Sequence, residues 1–183
     1  MTLTDINGTA GTSDAFNLTL GGGVTVTNVT GGASVIDALT INSIGSTANV
    51  VTGIGTLTTN ASITATGSQA LTITLPDLGT GSFNASAATG KITVTANAAD
   101  SASITGGSAG DVLSGNNGSD TISGGTGDDS ITGGAGQNVL SGDAGNDKLT
   151  GGSESDTIYG GDGNDVISGG GASDTLSGDA GND

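Results

Sequence analysis

From Gly106 to Asp183 the sequence repeats every nine residues with no break in register, and this constrains the fold more than any other feature. Written in nines it reads GGSAGDVLS, GNNGSDTIS, GGTGDDSIT, GGAGQNVLS, GDAGNDKLT, GGSESDTIY, GGDGNDVIS, GGGASDTLS and GDAGND. Position 1 is always Gly. Position 6 is Asp in every copy but one, which has Asn138. Position 8 is always Leu or Ile, from Leu113 and Ile122 to Ile167 and Leu176. A flexible Gly/Ser/Asp linker has no reason to keep a branched apolar residue at every ninth place. Such strict self-similarity implies a solenoid, in which each repeat buries its apolar residue only by stacking on a neighbour.

Positions 1 to 6 are Gly-rich and end in Asp, the composition of a tight turn. Positions 7 to 9 alternate polar, apolar, polar, as in a three-residue strand with one buried face. One turn and one short strand only reverse the chain, so two nonapeptides are needed to close a coil of 18 residues. Residue i then stacks on residue i+18, roughly 4.8 Å away. This places Asp111, Asp129, Asp147, Asp165 and Asp183 in one column, and Asp120, Asn138, Asp156 and Asp174 in the column on the opposite edge.

Stacked carboxylates at that spacing repel unless a cation lies between them. Carboxylates and turn carbonyls together offer hard oxygen donors at a flexible site, which suits Ca²⁺ better than the smaller, strictly octahedral Mg²⁺. The expected bridges join Asp111 to Asp129, Asp120 to Asn138, Asp129 to Asp147, Asn138 to Asp156, Asp147 to Asp165, Asp156 to Asp174 and Asp165 to Asp183, about seven ions in all. Carbonyls of the turns at Gly115, Gly124, Gly133, Gly142, Gly151, Gly160 and Gly169 would complete the shells. Two Leu or Ile side chains per coil bury too little apolar surface to offset the entropy of ordering it. The array is therefore expected to be disordered without Ca²⁺ and folded with it.

These residues resemble the repeats-in-toxin (RTX) family, whose pattern is G-G-x-G-x-D-x-U-x. The resemblance covers 78 of the 183 residues. It implies a right-handed parallel β-roll with Ca²⁺ held between turns n and n+2. Ala109, Glu154 and Ala172 depart from it at position 4, as does Asn138 at position 6.

Residues 1 to 105 form a second, Thr/Ala/Gly-rich unit of β-strands. Alternating runs occur at Phe16–Leu20, Val24–Val26, Leu39–Ile41, Leu71–Leu75 and Ile92–Val94, with Thr at most of the alternate places. Glycines and Pro76 punctuate them, and no stretch has helical periodicity. The fold class expected is all-β: an irregular parallel β-solenoid leading into the β-roll, with an antiparallel β-sandwich as the alternative for the first part. A sandwich core would want more aromatics than Phe16, Phe83 and Tyr159. A solenoid could run into the roll near Ile104 with no linker. Asp14 and Asp37 sit in degenerate copies of the repeat, where each is either a Ca²⁺ ligand or a turn residue bonding its own backbone. The segments GTSDAFNLTL (11–20), NVVTG (49–53) and SFNASAATG (82–90) resemble RTX-bearing surface-layer proteins of Gram-negative bacteria, which implies a shell-forming or adhesive cell-surface protein.

Charge and missing residues exclude much else. Acidic residues outnumber basic ones 18 to 2, which argues against nucleic acid as a partner. Without Cys or His there is no thiolate site, and no base to serve Ser108 in the elbow-like Gly106–Gly110. No enzymatic activity is expected. Position 3 varies too much to form the Thr column that ice binding needs. No apolar run is long enough to span a membrane, and the N-terminus does not read as a signal peptide. The end at Asp183, inside a repeat, reads as a cut in a longer protein, with Met1 an added start. The expected function is a Ca²⁺-dependent folding and assembly segment of a secreted surface-layer or cell-surface protein. The expected partners are other copies, other domains of the parent protein or a cell-surface polysaccharide. The alternatives are a stalk module of an adhesin and the accessory roll of a secreted enzyme or toxin.

Overall fold

In the ladder, alternation makes positions 6, 8 and 1 face one way and positions 7 and 9 the other. A computed structural model describes residues 2–6, 15–26, 28–31, 36–52, 54, 57–76, 78–79, 81–97 and 101–183. Every strand pairing among these residues is parallel, and none of them is helical. The chain winds as a β-solenoid between two sheets. The first sheet stacks Ala15–Gly21, Ile36–Ile44, Leu57–Gly67, Ser82–Ala88, Ser103–Thr105, Thr121–Thr126, Val139–Ala144, Thr157–Asp162 and Thr175–Ala180. The second stacks Thr25–Val26, Asn49–Val51, Leu71–Thr74, Ile92–Thr95, Val112–Asn116, Ser130–Gly134, Lys148–Gly152 and Val166–Gly170. A separate two-stranded pair joins Thr2–Ile6 to Asn28–Gly31.

The parallel ladder excludes the antiparallel sandwich. Both sheets pass through residue 105 without interruption, since Ile104 pairs with Phe83 on one side and Ile122 on the other. Coil length shortens along the chain. Leu39 pairs with Ile63, Ile63 with Phe83, Phe83 with Ile104 and Ile104 with Ile122, offsets of 24, 20, 21 and 18 residues. From there the offset stays at 18.

The taper follows from what fills each coil. The coil through Phe83 also buries Ala85, Ala88, Ile92, Val94, Ala96 and Ala102. The coil from Val112 to Asp129 buries only Leu113 and Ile122 as branched apolar side chains. Ladder strands are longer than three residues: they run through positions 7, 8, 9, 1 and 2, as in Val112–Asn116. Gly at position 1 takes an inward place in the alternation, and Gly115, Gly124 and Gly142 are buried. The turns proper are correspondingly short.

Candidate metal centre

The two edges of the roll are built by the turns between the sheets. One edge holds the turns ending at Asp111, Asp129, Asp147, Asp165 and Asp183; the other holds those ending at Asp120, Asn138, Asp156 and Asp174. In each turn the position-6 side chain points inward, and Asp111, Asp120, Asp129, Asn138, Asp147, Asp156 and Asp165 are all at most 3 % exposed. Burial of that many carboxylates demands specific compensation.

Part of it comes from the backbone. Each position-6 side chain accepts, through Oδ1, the N–H of the residue one coil earlier. The first column runs Ile92 to Asp111 at 2.8 Å, Asp111 to Asp129 at 2.6 Å, Asp129 to Asp147 at 2.7 Å, Asp147 to Asp165 at 2.8 Å and Asp165 to Asp183 at 2.9 Å. The second runs Ala102 to Asp120 at 2.6 Å, Asp120 to Asn138 at 2.9 Å, Asn138 to Asp156 at 2.7 Å and Asp156 to Asp174 at 3.0 Å. All seven expected pairs thus lie on adjacent rungs, joined by N–H to side-chain oxygen.

The other oxygen is different. The Oδ2 atoms of Asp129, Asp147, Asp156 and Asp165 are buried and accept no hydrogen bond. Each lies against the position-1 Gly of its own repeat, beside the carbonyl of the position-1 Gly one coil later. A Cβ added to Gly124 would overlap Asp129 Oδ2 and meet the Gly142 carbonyl at 2.7 Å. The same holds at Gly142 for Asp147 Oδ2 and the Gly160 carbonyl, at Gly151 for Asp156 Oδ2 and the Gly169 carbonyl, and at Gly160 for Asp165 Oδ2 and the Gly178 carbonyl. A carboxylate and a carbonyl oxygen therefore converge on a cradle that only Gly leaves open. Among the described residues no three Asp, Glu, His or Cys side chains converge on one point. A donor set here must combine single carboxylates with main-chain carbonyls, all hard oxygens, and that set suits Ca²⁺. When bound, the ion would supply the charge neutralisation that the buried carboxylates lack.

Without a cation the site is electrostatically unfavourable. Burial, with repulsion from Asp111, Asp147 and Asp143, lifts the Asp129 carboxyl to about 7 against the pull of the Asp111 N–H. Burial also raises Asp147, aided by repulsion from Asp165, Asp128 and Asp143. Asp111 is raised by burial as well, although the N–H groups of Ile92 and Gly107 and the charge of Lys91 oppose it.

Not every expected ligand is equivalent. Asp111 has no idle oxygen, because its Oδ2 accepts the Gly107 N–H at 2.7 Å. Of the expected carbonyls, Gly124 lies with Asp111 Oδ2 over Gly106, and Gly133 lies with Asp120 Oδ2 over Gly115. The Gly115 carbonyl opens its column, and the coil before holds Ala102 where later coils hold a carboxylate. At Gly133 the neighbours are the Asn138 amide nitrogen and the Gly151 carbonyl. Asp14 lies outside the described residues. Asp37 lies in Ile36–Ile44 beside a bulge. Between its rung and Asp120 the residues preceding Ser62, Ser82 and Ser103 are Ala61, Gly81 and Ala102, so among the described residues no carboxylate links it to the Asp120 column. On the other edge Leu71 and Ile92 occupy the slot below Asp111, so both carboxylate columns begin at the ladder.

Two outer rows escape the periodicity argument. At position 5, Asn146 donates its N–H to Asp128 Oδ1 at 2.8 Å, Asn164 to Asn146 Oδ1 at 2.9 Å and Asn182 to Asn164 Oδ1 at 2.9 Å. This exposed row runs opposite in sense to the buried one, and the recurring Asn of alternate repeats was its sequence signal. At position 2, Asp143 Oδ1 accepts the Ser141 hydroxyl at 2.6 Å and its Oδ2 accepts the Ser123 hydroxyl. Asn116, Asp143 and Asp179 stand there at φ of 73°, 70° and 65°, a region Asn and Asp enter more readily than other side chains.

A family model for the RTX calcium-binding nonapeptide repeat (4 copies) matches residues 105–140, 114–149 and 150–183. The matched residues are the ladder, so this part of the chain is an array of RTX repeats, a type that binds calcium. No curated protein and no solved structure matches the chain.

Proposed function

We propose that this chain is a non-catalytic structural segment of a secreted protein whose second half folds when Ca²⁺ enters the turn columns. The observation that carries the reading is the buried, unpartnered Oδ2 beside a carbonyl of the next coil, repeated at Asp129, Asp147, Asp156 and Asp165. Leaving such oxygens unpaired is costly, and an oxygen-seeking divalent ion compensates all of them at once. Affinity on the order of 10⁻⁴–10⁻³ M is expected for an extracellular module of this kind. Folding would then follow export into a calcium-rich medium. Asp147, Asp165 and their column mates act by holding turns together, so the chain's role is shape. Assembly with other copies into a surface layer is the finer reading; a stalk that stays monomeric is its rival. Circular dichroism during a Ca²⁺ titration, with Mg²⁺ as control, tests the core of the proposal: β-signal should rise with Ca²⁺ and hardly with Mg²⁺. A full β-signal in chelator would overturn it. Light scattering in the same titration separates the lattice from the stalk.

A further inference from the structure

The position-6 columns are not alike, and the difference lies in one atom. In the second column Asn138 Oδ1 accepts the Asp120 N–H at 2.9 Å, as an Asp would. That bond fixes the amide, because only its oxygen can accept. The Nδ2 group therefore stands where the sister repeats have Oδ2. A Cβ on Gly133 would meet Asn138 Nδ2 at 2.6 Å and the Gly151 carbonyl at 2.9 Å, where a Cβ on Gly142 would meet carboxylate and carbonyl oxygens. Asn138 Nδ2 donates instead to the Gly136 carbonyl at 3.0 Å. A donor with partial positive charge fills the cradle and engages a carbonyl of its own turn.

The same device occurs elsewhere in this chain, where the carboxylate columns have ended. Asn49 is fully buried and occupies the rung before Leu71. Its Oδ1 accepts the Val24 N–H from one coil earlier at 2.9 Å. Its Nδ2 donates to Ser43 Oγ at 2.8 Å and to the Leu20 carbonyl at 3.4 Å. Asn49 closes its turn with hydrogen bonds alone. The edges also differ in charge: nine of the thirteen ladder carboxylates lie on the edge of Asp111 to Asp183, and four, Asp120, Glu154, Asp156 and Asp174, lie on the other.

We propose that Asn138 is a metal-free rung, its amide nitrogen standing in for a divalent cation, so that calcium loads the successive Asp129, Asp147 and Asp165 rungs without a gap and the opposite edge only in part. This deepens the calcium reading above and rests on it. The Asn138 turn holds its closure when calcium is scarce, and it interrupts the coupling between the Asp120 and Asp156 sites.

The test counts calcium per full-length chain by native mass spectrometry at saturating Ca²⁺. Asn138→Asp is expected to bind at least one ion more than the wild type, and Asp156→Asn at least one fewer, with both keeping the β-signal at saturation. An Asn138→Asp chain that folds with an unchanged count overturns the inference while leaving the calcium reading intact. Should that variant not fold, an unchanged count in Asp156→Asn overturns it equally. A wild-type chain that binds no calcium sinks the calcium reading, and this inference with it.

Discussion

The backbone N–H of Asp129 donates to Asp147 Oδ1 at 2.7 Å, and Asp147 Oδ2, in the same carboxylate, is buried without a partner. One side chain thus closes the coil before it with one oxygen and offers the other to a cation. Asp147→Asn should keep the first function and lose the second. Asp147→Ala should lose both, and the orphaned Asp129 N–H adds about 1–3 kcal/mol of cost. In Ca²⁺ titrations followed by circular dichroism, both variants should need more calcium, with Asp147→Ala the worse. Equal midpoints for Asp147→Ala and the wild type would contradict the pairing.

Gly142 is expected to be among the least replaceable residues. A Cβ there would overlap Asp147 Oδ2 and the Gly160 carbonyl, and neither the buried carboxylate nor the strand can retreat cheaply. Gly142→Ala should cost more than about 2 kcal/mol in the calcium-loaded state and weaken calcium binding with it. Thr132→Ala, on an exposed strand position, should stay within about 0.5 kcal/mol. Urea unfolding at saturating Ca²⁺ measures both.

The legible part of this protein was its period. Leu or Ile at every ninth residue marked the buried file, and Leu113, Ile122, Ile131, Leu140, Leu149 and Ile158 are all within 1 % of full burial. Alternation marked the strands at Ala15–Gly21, Ile36–Ile44, Leu71–Thr74 and Ile92–Thr95. The strands Leu57–Gly67 and Ser82–Ala88 were harder to read, because much of their inward face is Ala61, Ala65, Ala85 and Ala88, which contrast little with Thr and Ser. A repeat also shows which residue recurs but not which atom it faces. The division of labour between Oδ1 and Oδ2, the doubly engaged Asp111 and the reversed amide of Asn138 all depend on where neighbouring N–H groups point.

Acidity should steady the calcium-free fold. Asp129 is raised to about 7 in the folded chain, and Asp111 and Asp147 are raised with it. A carboxyl with a raised folded pKa binds its proton more tightly folded than unfolded, so its contribution is fully present below the unfolded value near 3.8 and is lost as pH rises through about 7. In chelator, the β-signal of the ladder should be largest near pH 4.5 and be lost as pH rises to about 7. At saturating Ca²⁺ the trend should reverse, with the melting temperature rising over the same range, because protons then compete with the ion. A calcium-free β-signal that grows with pH would contradict the burial of these groups.

Ala109 and Ala172 both stand where the repeat calls for Gly at position 4, yet they should respond oppositely to restoring it. Ala172 has a φ of 65°, in the left-handed region, whereas Ala109 does not. Replacing Ala172 with Gly removes about 1–2 kcal/mol of backbone strain and gives back about 0.4–1 kcal/mol through the greater freedom of the unfolded chain, a net gain centred on about 0.8 kcal/mol. Ala109→Gly relieves no strain and should lose about 0.4–1 kcal/mol. Denaturant midpoints at saturating Ca²⁺ should therefore move up for Ala172→Gly and down for Ala109→Gly; a shift in the same direction for both would refute the assignment of strain to Ala172 alone.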